Sequence, residues 1–422
     1  MQFTTLQQWL GWLEQCHPTE IELGLERIRQ VAERLDLLTP SARVITVAGT
    51  NGKGSCVTAT AALLREAGLS VGVYTSPHLL QYNERIVING IAVSDSEICA
   101  AFTRIVNACE NTSLTYFEFG TLAALDIFQR HQLDVVVLEV GLGGRLDAVN
   151  ILDADVAVIT SIDLDHQDWL GADREAIGAE KAGIARKDRP VVCADPAPPT
   201  SVFVGCEAVG ANLYALNRNF GYSVDADSWS WWGMDVAGEI HESDPMPLPH
   251  LPLPSLAAAL QAVKLLGVDL SSLAFANCLA TLTMPGRFQK LDFNGTEIIL
   301  DVAHNPAASA YLSQKLQNSP CSGRTFTIVG MMADKDRINS IRNLDSEIDS
   351  WYLACLPAVP RAASIEQLVH DLSLLERIAD GQGTVTECLA RLSEQMCAAD
   401  RIVIWGSFYT VAAAMSALQS PA

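Results

Sequence analysis

Short runs of almost wholly apolar residues, each followed by a stretch with apolar positions at helical spacing, recur along the chain. This texture predicts a parallel α/β architecture, because strands covered on both faces lose the apolar and polar alternation of half-exposed strands. Residues 42–49 (ARVITVAG) read as a buried strand running into a glycine-rich loop, and 56–68 (CVTATAALLREAG) as the helix after it, closed by Gly68. Residues 133–141 (LDVVVLEVG) and 154–162 (ADVAVITSI) read as further strands, and SVGVY as a shorter one. From 211 to 241 polar and aromatic residues alternate, including SWSWW, which predicts a small antiparallel excursion. Residues 244–254 carry five prolines, a density that predicts no regular structure before the helix SLAAALQAVKLLG. A Pro-Gly pair within TMPGRFQ (283–289) marks a boundary, and a fresh strand and helix series follows it. Two domains are expected, 1–284 and 290–422, joined by a linker at 285–289, the second being about 130 residues long. No internal repeat and no long low-complexity tract interrupts the pattern.

The 422 residues carry a net charge of -21, so nucleic acid and anionic membranes are poor partners and any phosphate must be held by a local site. No basic segment followed by an apolar stretch opens the sequence, and no apolar run approaches a membrane span. Eleven cysteines, scattered and never in C-x-x-C spacing, argue against a disulfide framework and a zinc site, leaving a reducing cytoplasm as the expected location.

The candidate chemistry begins at VAGTNGKGSCVTAT (47–60). A common phosphate loop reads G-x-x-x-x-G-K-[ST], with backbone N–H groups cradling phosphates. Here Gly49 stands three residues before Gly52-Lys53, and Gly54 separates Lys53 from Ser55. A strand before and a helix after favour phosphate binding over a mere tight turn, since the helix N-terminus adds partial positive charge. Glu139 ends an apolar strand on the same sheet edge, where it reads as a Mg²⁺ ligand or as a capped or salt-bridged carboxylate. His166, in SIDLDHQDWLG, reaches that edge too, with Asp163 and Asp165 as competing oxygen donors better suited to Mg²⁺. Ser76 and His78 raise the same question after SVGVY. Gly141, Gly143 and Gly144 permit a tight turn or close approach to a ligand, and Arg145 and Asp147 offer ionic contacts or pair with each other.

Together the stretches AGTNGKGS, TSPHLLQYNERI, EVGLGGRLDAVN, TSIDLDHQDWLG, EKAGI, PGRFQ and DVAHNP, in that order from 48 to 306, with GSFYTVA at 406–412, resemble the folylpolyglutamate synthase and dihydrofolate synthase family of Mur-type ATP-dependent amide ligases. The resemblance implies a Mur-ligase-like P-loop domain with a parallel sheet, followed by a smaller Rossmann-like α/β domain. It makes the glycine between Lys53 and Ser55 the family's own form of phosphate loop. Thr50, Asn51, Gly52, Lys53, Gly54 and Ser55 would hold the phosphates of ATP, the co-substrate. Ser76, Glu139, His166 and Ser55 would serve two Mg²⁺ sites. Lys181, in EKAGI, matches a lysine that the family carbamylates, an ordinary salt-bridged helix lysine being the bland alternative; with Lys53, Glu139 and His166 it completes the implied catalytic set. Arg287 and Asp301 would contact ATP between the domains, with His304 and Asn305 in the same motif. Ser255 stands where the family usually has Asn, which puts an adenine-side contact in doubt.

Members that also accept dihydropteroate resemble this chain at Glu22, Leu23, Gly24 and Leu25, at Thr115, Tyr116, Phe117 and Glu118, and at Leu146, Asp147 and Ala148. These would form a pterin pocket, with Phe117 and Phe119 as aromatic walls or as core. The resemblance implies a monomeric bifunctional ligase that joins L-glutamate to dihydropteroate and to tetrahydrofolates through an acyl phosphate. A monofunctional polyglutamylase, another Mur-type ligase and a regulatory ATPase are the alternatives.

Overall fold

The computed structural model describes residues 3–270, 273–293 and 295–419, so the outermost residues of both expected domains lie outside the described part. The chain forms two compact units, Met1–Leu282 and Thr283–Ala422.

The first unit is built on an eight-stranded sheet: β1 (Arg43–Ala48), β2 (Val71–Tyr74), β3 (Ile86–Ile88), β4 (Ile91–Ala92), β5 (Val135–Glu139), β6 (Val156–Ile159), β7 (Pro190–Cys193) and β8 (Asn212–Ala215). Their spatial order is β4-β3-β2-β5-β1-β6-β7-β8. All neighbours pair in parallel except β2 with β3 and β3 with β4. The central strands β1, β5 and β6 are buried over nearly their whole length, as their unbroken Val and Ile runs require. Parallel register brings the carboxyl ends level: Val47 pairs with Glu139, Ala48 with Ile159, and Tyr74 with Leu138. The segments leaving β1, β2, β5 and β6 therefore meet at one edge, where the strand order reverses and ligands of such sheets bind.

Two expectations for 211–254 need correction. Asn212–Ala215 is not part of an antiparallel excursion; it follows the helix Thr200–Val209 and joins the main sheet in parallel as β8. The excursion proper is β9 (Phe220–Val224), β10 (Ser228–Met234), β11 (Ile240–Glu242) and β12 (Met246–Pro247), with Trp229 and Trp231 of β10 buried. β12 lies inside the proline-rich stretch, at the sheet margin where a missing N–H costs little. The following helix starts early, at Leu253, because Pro254 occupies the first turn, where its lost donor has no intrahelical partner.

The second unit holds β13 (Gln289–Phe293), β14 (Thr296–Asp301), β15 (Thr325–Val329), β16 (Ser350–Cys355), β17 (Gly381–Thr384) and β18 (Arg401–Trp405), ordered β13-β14-β18-β15-β16-β17. Only β13 is antiparallel to its neighbour. All eleven cysteines are free, and among the described residues no helix is long and apolar enough to cross a membrane.

Candidate active site

Gly49 and Gly52 have φ of 152° and 83°, in the region that favours glycine, and both are crowded. A Cβ on Gly49 would collide with Thr160 Oγ1, and one on Gly52 would lie 2.6 Å from Ser255 Oγ. The loop is strapped to the segment leaving β6. Thr160 Oγ1 donates to the Asn51 carbonyl (2.7 Å), Ser161 Oγ accepts from Asn51 N–H (2.9 Å), and the Thr50 N–H donates to the Ser161 carbonyl (2.7 Å). Asp163 N–H donates to Thr50 Oγ1 at 3.0 Å. The helix Lys53–Glu66 starts directly from this loop, with Gly52 supplying no side-chain cap. Lys53 Nζ donates to the carbonyls of Gly49 (2.9 Å) and Thr50 (3.2 Å), and Gly54 and Ser55 are buried. Ser255 Oγ reaches the Gly52 carbonyl at 3.3 Å, so this side chain lies against the loop itself. Gly49→Ala is expected to cost about 2–4 kcal/mol through that collision and the strained φ. Thermal unfolding should report the loss, and an unshifted midpoint would speak against the loop geometry.

Glu139 is 5% exposed at the end of β5, and its Oε2 accepts the Ser76 N–H at 3.2 Å. Neighbouring strands thus bring these two residues together, as the sequence suggests. His166 has φ 51° ahead of the short helix Gln167–Leu170, with Nε2 3.9 Å from Asp165 Oδ2. Among the described residues no three His, Cys, Asp or Glu side chains form a ready metal cluster. A buried carboxylate beside Ser76, with the hydroxyl of Ser55 on the adjoining helix, is a sparse set of hard oxygen donors. That set suits Mg²⁺, which keeps much of its water, rather than a metal demanding a full protein cage. His78 is otherwise engaged: its Nδ1 accepts from Arg85 Nε at 2.9 Å, and burial with the Arg85 charge pushes its pKa down to about 4.

Lys181, on the helix Arg174–Ala182, is 3% exposed. Burial pushes its pKa down to about 7; the Lys53 charge acts in the same direction, while Asp165 and Asp147 oppose it. Asp147 is 2% exposed, and burial pushes its carboxyl up to about 7 despite N–H bonds from Leu142 (2.8 Å) and Val149 (3.1 Å). Glycines allow this neighbourhood to close. A Cβ on Gly144 would stand 2.8 Å from the Glu180 carbonyl oxygen, and one on Gly183 would overlap Arg145. Arg145 pairs with Glu180 (2.7 Å) and not with Asp147, whose carboxylate is committed to the backbone of its own turn.

The three stretches expected around a pterin do converge. Gly24 N–H donates to the Leu146 carbonyl (3.4 Å), and Arg27, one turn on, joins Glu22 and Glu118, the latter at 3.2 Å. Thr115 and Glu118 form a capping box at the start of the helix Tyr116–His131, each bonding the other's N–H. The spacing T-x-x-E announces that cap in the sequence. The Tyr116 ring lies 5.5 Å from the Arg85 guanidinium. Phe117 is half-buried, 5.9 Å from the Tyr74 ring and against Gly141. Phe119 is not a pocket wall: it is 2% exposed and packs on Trp12 and Phe102. Two residues apart on a helix means about 200° of rotation, so Phe117 and Phe119 face opposite ways.

In the second unit, Asp301 accepts the N–H groups of Phe288 and Ala303, both at 2.8 Å, and burial raises its pKa. The Arg287 guanidinium lies 5.1 Å from the centre of the Phe408 ring. His304 Nδ1 is 2.9 Å from the Val302 carbonyl, and Asn305 caps the helix Pro306–Gln317 by accepting the Ala308 N–H (2.9 Å).

Residues 47–194 match the Mur ligase middle domain, and residues 286–408 the Mur ligase, glutamate ligase domain. The dihydrofolate synthase/folylpolyglutamate synthase of Escherichia coli (strain K12) is 43% identical over 417 residues, covering 98% of this chain and 96% of that protein. The structure of E. coli FolC in complex with DHPP and ADP superposes with a TM-score of 0.92 at 43% identity, covering 98% and 97% of the two chains. A bifunctional folylpolyglutamate synthase/dihydrofolate synthase with Mn, AMPPNP and L-glutamate bound gives a TM-score of 0.91 at 44% identity, covering 99% and 98%. Matched over both units and nearly its whole length, the chain belongs to the dihydrofolate synthase/folylpolyglutamate synthase family of Mur ligases.

Proposed function

We propose that this chain is a bifunctional ATP-dependent ligase that joins L-glutamate to dihydropteroate, giving dihydrofolate, and adds further glutamates to tetrahydrofolates. The observation that carries the reading is the convergence, at one sheet edge, of the phosphate loop with the buried Glu139 and its partner Ser76. A carboxylate is a poor electrophile, so an oxygen of the acceptor's carboxylate first attacks the γ-phosphorus of ATP, and ADP leaves. The amino group of glutamate, having lost its proton, then attacks the acyl carbon; the amide bond forms and the phosphate departs with the bonding electrons.

Residues 50–55 hold the phosphates, and the Lys53 ammonium neutralises charge that builds on the transferred group. Ser76, Glu139, Ser55 and His166 would hold Mg²⁺ at two sites, where the ion supplies further charge neutralisation. Arg287 and Asp301 are nucleotide contacts of the second unit, and His304, Asn305 and Ser255 serve the same substrates. The enzyme works as a monomer in the cytoplasm. ADP release should require ATP, glutamate and a pteroate or folate together; release undiminished without glutamate would favour a regulatory ATPase.

Lys181 is read as carbamylated, its amine taking up CO₂ to become an anionic ligand beside the metal. Only the neutral amine reacts, and a pKa of about 7 makes it abundant near neutrality, whereas an exposed lysine is almost wholly protonated there. Uptake of ¹³C-bicarbonate at Lys181 should therefore rise between about pH 6 and 8. Activity of Lys181→Ala should return with short-chain carboxylates. An unmodified lysine in an active, metal-loaded crystal would end the reading.

The stretches at 22–25, 115–118 and 146–148 form the dihydropteroate pocket. Dihydropteroate carries its reacting carboxylate on the aminobenzoate ring, but a folate carries it on a glutamate tail, so their pterins cannot share one position while sharing one γ-phosphate. Phe117→Ala or Asp147→Asn should lower kcat/KM for dihydropteroate about tenfold more than for tetrahydrofolate. Equal losses would argue for one shared position, and no turnover of dihydropteroate by the unaltered enzyme would leave a monofunctional polyglutamylase.

A further inference from the structure

The segment Gly406–Ala412 has no part in the chemistry above, yet the topology of the second unit aims it at a nucleotide contact. β13 begins where β14 ends, with Gln289 registered against Leu300, so Arg287 returns beside Asp301. β18 lies parallel to β14 on its other side, with Trp405 level with Asp301. The helix Phe408–Gln419 therefore starts at the same edge, and the half-buried Phe408 ring lies 5.1 Å from the Arg287 guanidinium and 6.4 Å from the His304 ring. The backbone next to Arg287 is clamped. Asp301 accepts the Phe288 N–H at 2.8 Å, and Phe288 has φ 45°, a left-handed conformation that bulky side chains seldom adopt.

We propose that Phe408 is a positioning residue for nucleotide binding, its ring holding the Arg287 guanidinium in the orientation that engages a phosphate of ATP. This rests on the reading of Arg287 as a nucleotide contact. A guanidinium binds phosphate through a planar fork, so its value depends on direction as well as charge. Arginine otherwise loses much side-chain freedom on binding, and an aromatic face that pre-orders it removes part of that cost. The effect belongs to nucleotide affinity rather than to the chemical step, so KM for ATP should move while kcat stays nearly constant.

The test is a double-mutant cycle on the full chain, reading the dissociation constant of AMPPNP with Mg²⁺ by calorimetry. Phe408→Leu should weaken binding about three- to tenfold, and Phe408→Tyr, which keeps the face, by less than about twofold. In an Arg287→Ala background Phe408→Leu should add nothing further. Should Phe408→Leu fail to fold, Phe408→Met provides the same comparison. Equal weakening by the Phe408 change in both backgrounds would overturn the proposal, because the ring would then act by another route. Weakened binding in Arg287→Ala with no effect of Phe408→Leu would overturn it alone. Unchanged affinity in Arg287→Ala would remove the reading of Arg287, and the proposal with it.

Discussion

Lys53→Ala is expected to lower kcat at least about a thousandfold while the protein stays folded, the scale on which a single cationic or hydrogen-bonding group acts on a phosphoryl transition state. The side chain is only half-buried, and it bonds two loop carbonyls, Gly49 and Thr50, that belong to a turn held independently by Thr160, Ser161 and Asp163. Its removal therefore leaves the loop braced. What is lost is a positive charge at the N-terminal end of the helix Lys53–Glu66, which in the proposed mechanism neutralises phosphate oxygens as the γ-phosphoryl group separates from ADP. Removal of Lys53 also relieves a like charge acting on Lys181, so Lys181, the proposed carbamate carrier, should become easier to protonate in the variant. Turnover, circular dichroism and the unfolding midpoint distinguish the outcomes: full activity in a folded variant would remove Lys53 from the chemistry.

Glu139→Ala should be comparably damaging to turnover, at about a hundredfold to a thousandfold, for a different reason. A carboxylate 5% exposed at the end of an apolar strand costs folding free energy unless a cation or donors compensate it. One of its donors is the Ser76 N–H, at 3.2 Å. In the proposed mechanism this carboxylate holds Mg²⁺, so the magnesium titration should shift to higher concentration in the variant. A variant with an unaltered magnesium titration would contradict the assignment. The two substitutions therefore separate charge supplied by the chain from charge supplied by the ion.

The sheet and its active edge were readable because their physics is local. β1, β5 and β6 are unbroken apolar runs, and a glycine-rich turn between strand and helix fixes which end binds phosphate. Glu139 was readable for the same reason, a lone carboxylate ending such a run. What stayed hidden depends on partners distant in sequence. Thr160 and Ser161 brace the loop across more than a hundred residues, and nothing in TSID indicates it. β17 is only Gly381–Thr384, glycine-rich and polar, and exists because β16 offers it an edge. β12 pairs inside a proline-rich stretch because its partner needs little from it. Arg145 reached Glu180 rather than Asp147 because two glycine-permitted backbones lie in contact there. Helical period sets Phe117 and Phe119 on opposite faces, but that Phe119 is the one in the core depends on the distant rings of Trp12 and Phe102.

The central claim is that the acceptor's carboxylate is activated by phosphorylation and that the phosphate leaves when glutamate attacks. Dihydropteroate labelled with ¹⁸O in both carboxylate oxygens tests it most directly. One labelled oxygen should appear in the released phosphate for each dihydrofolate formed, with the other retained in the new amide. Dihydrofolate formed beside phosphate free of label would contradict the acyl phosphate route, because the oxygen on phosphorus would then have come from water.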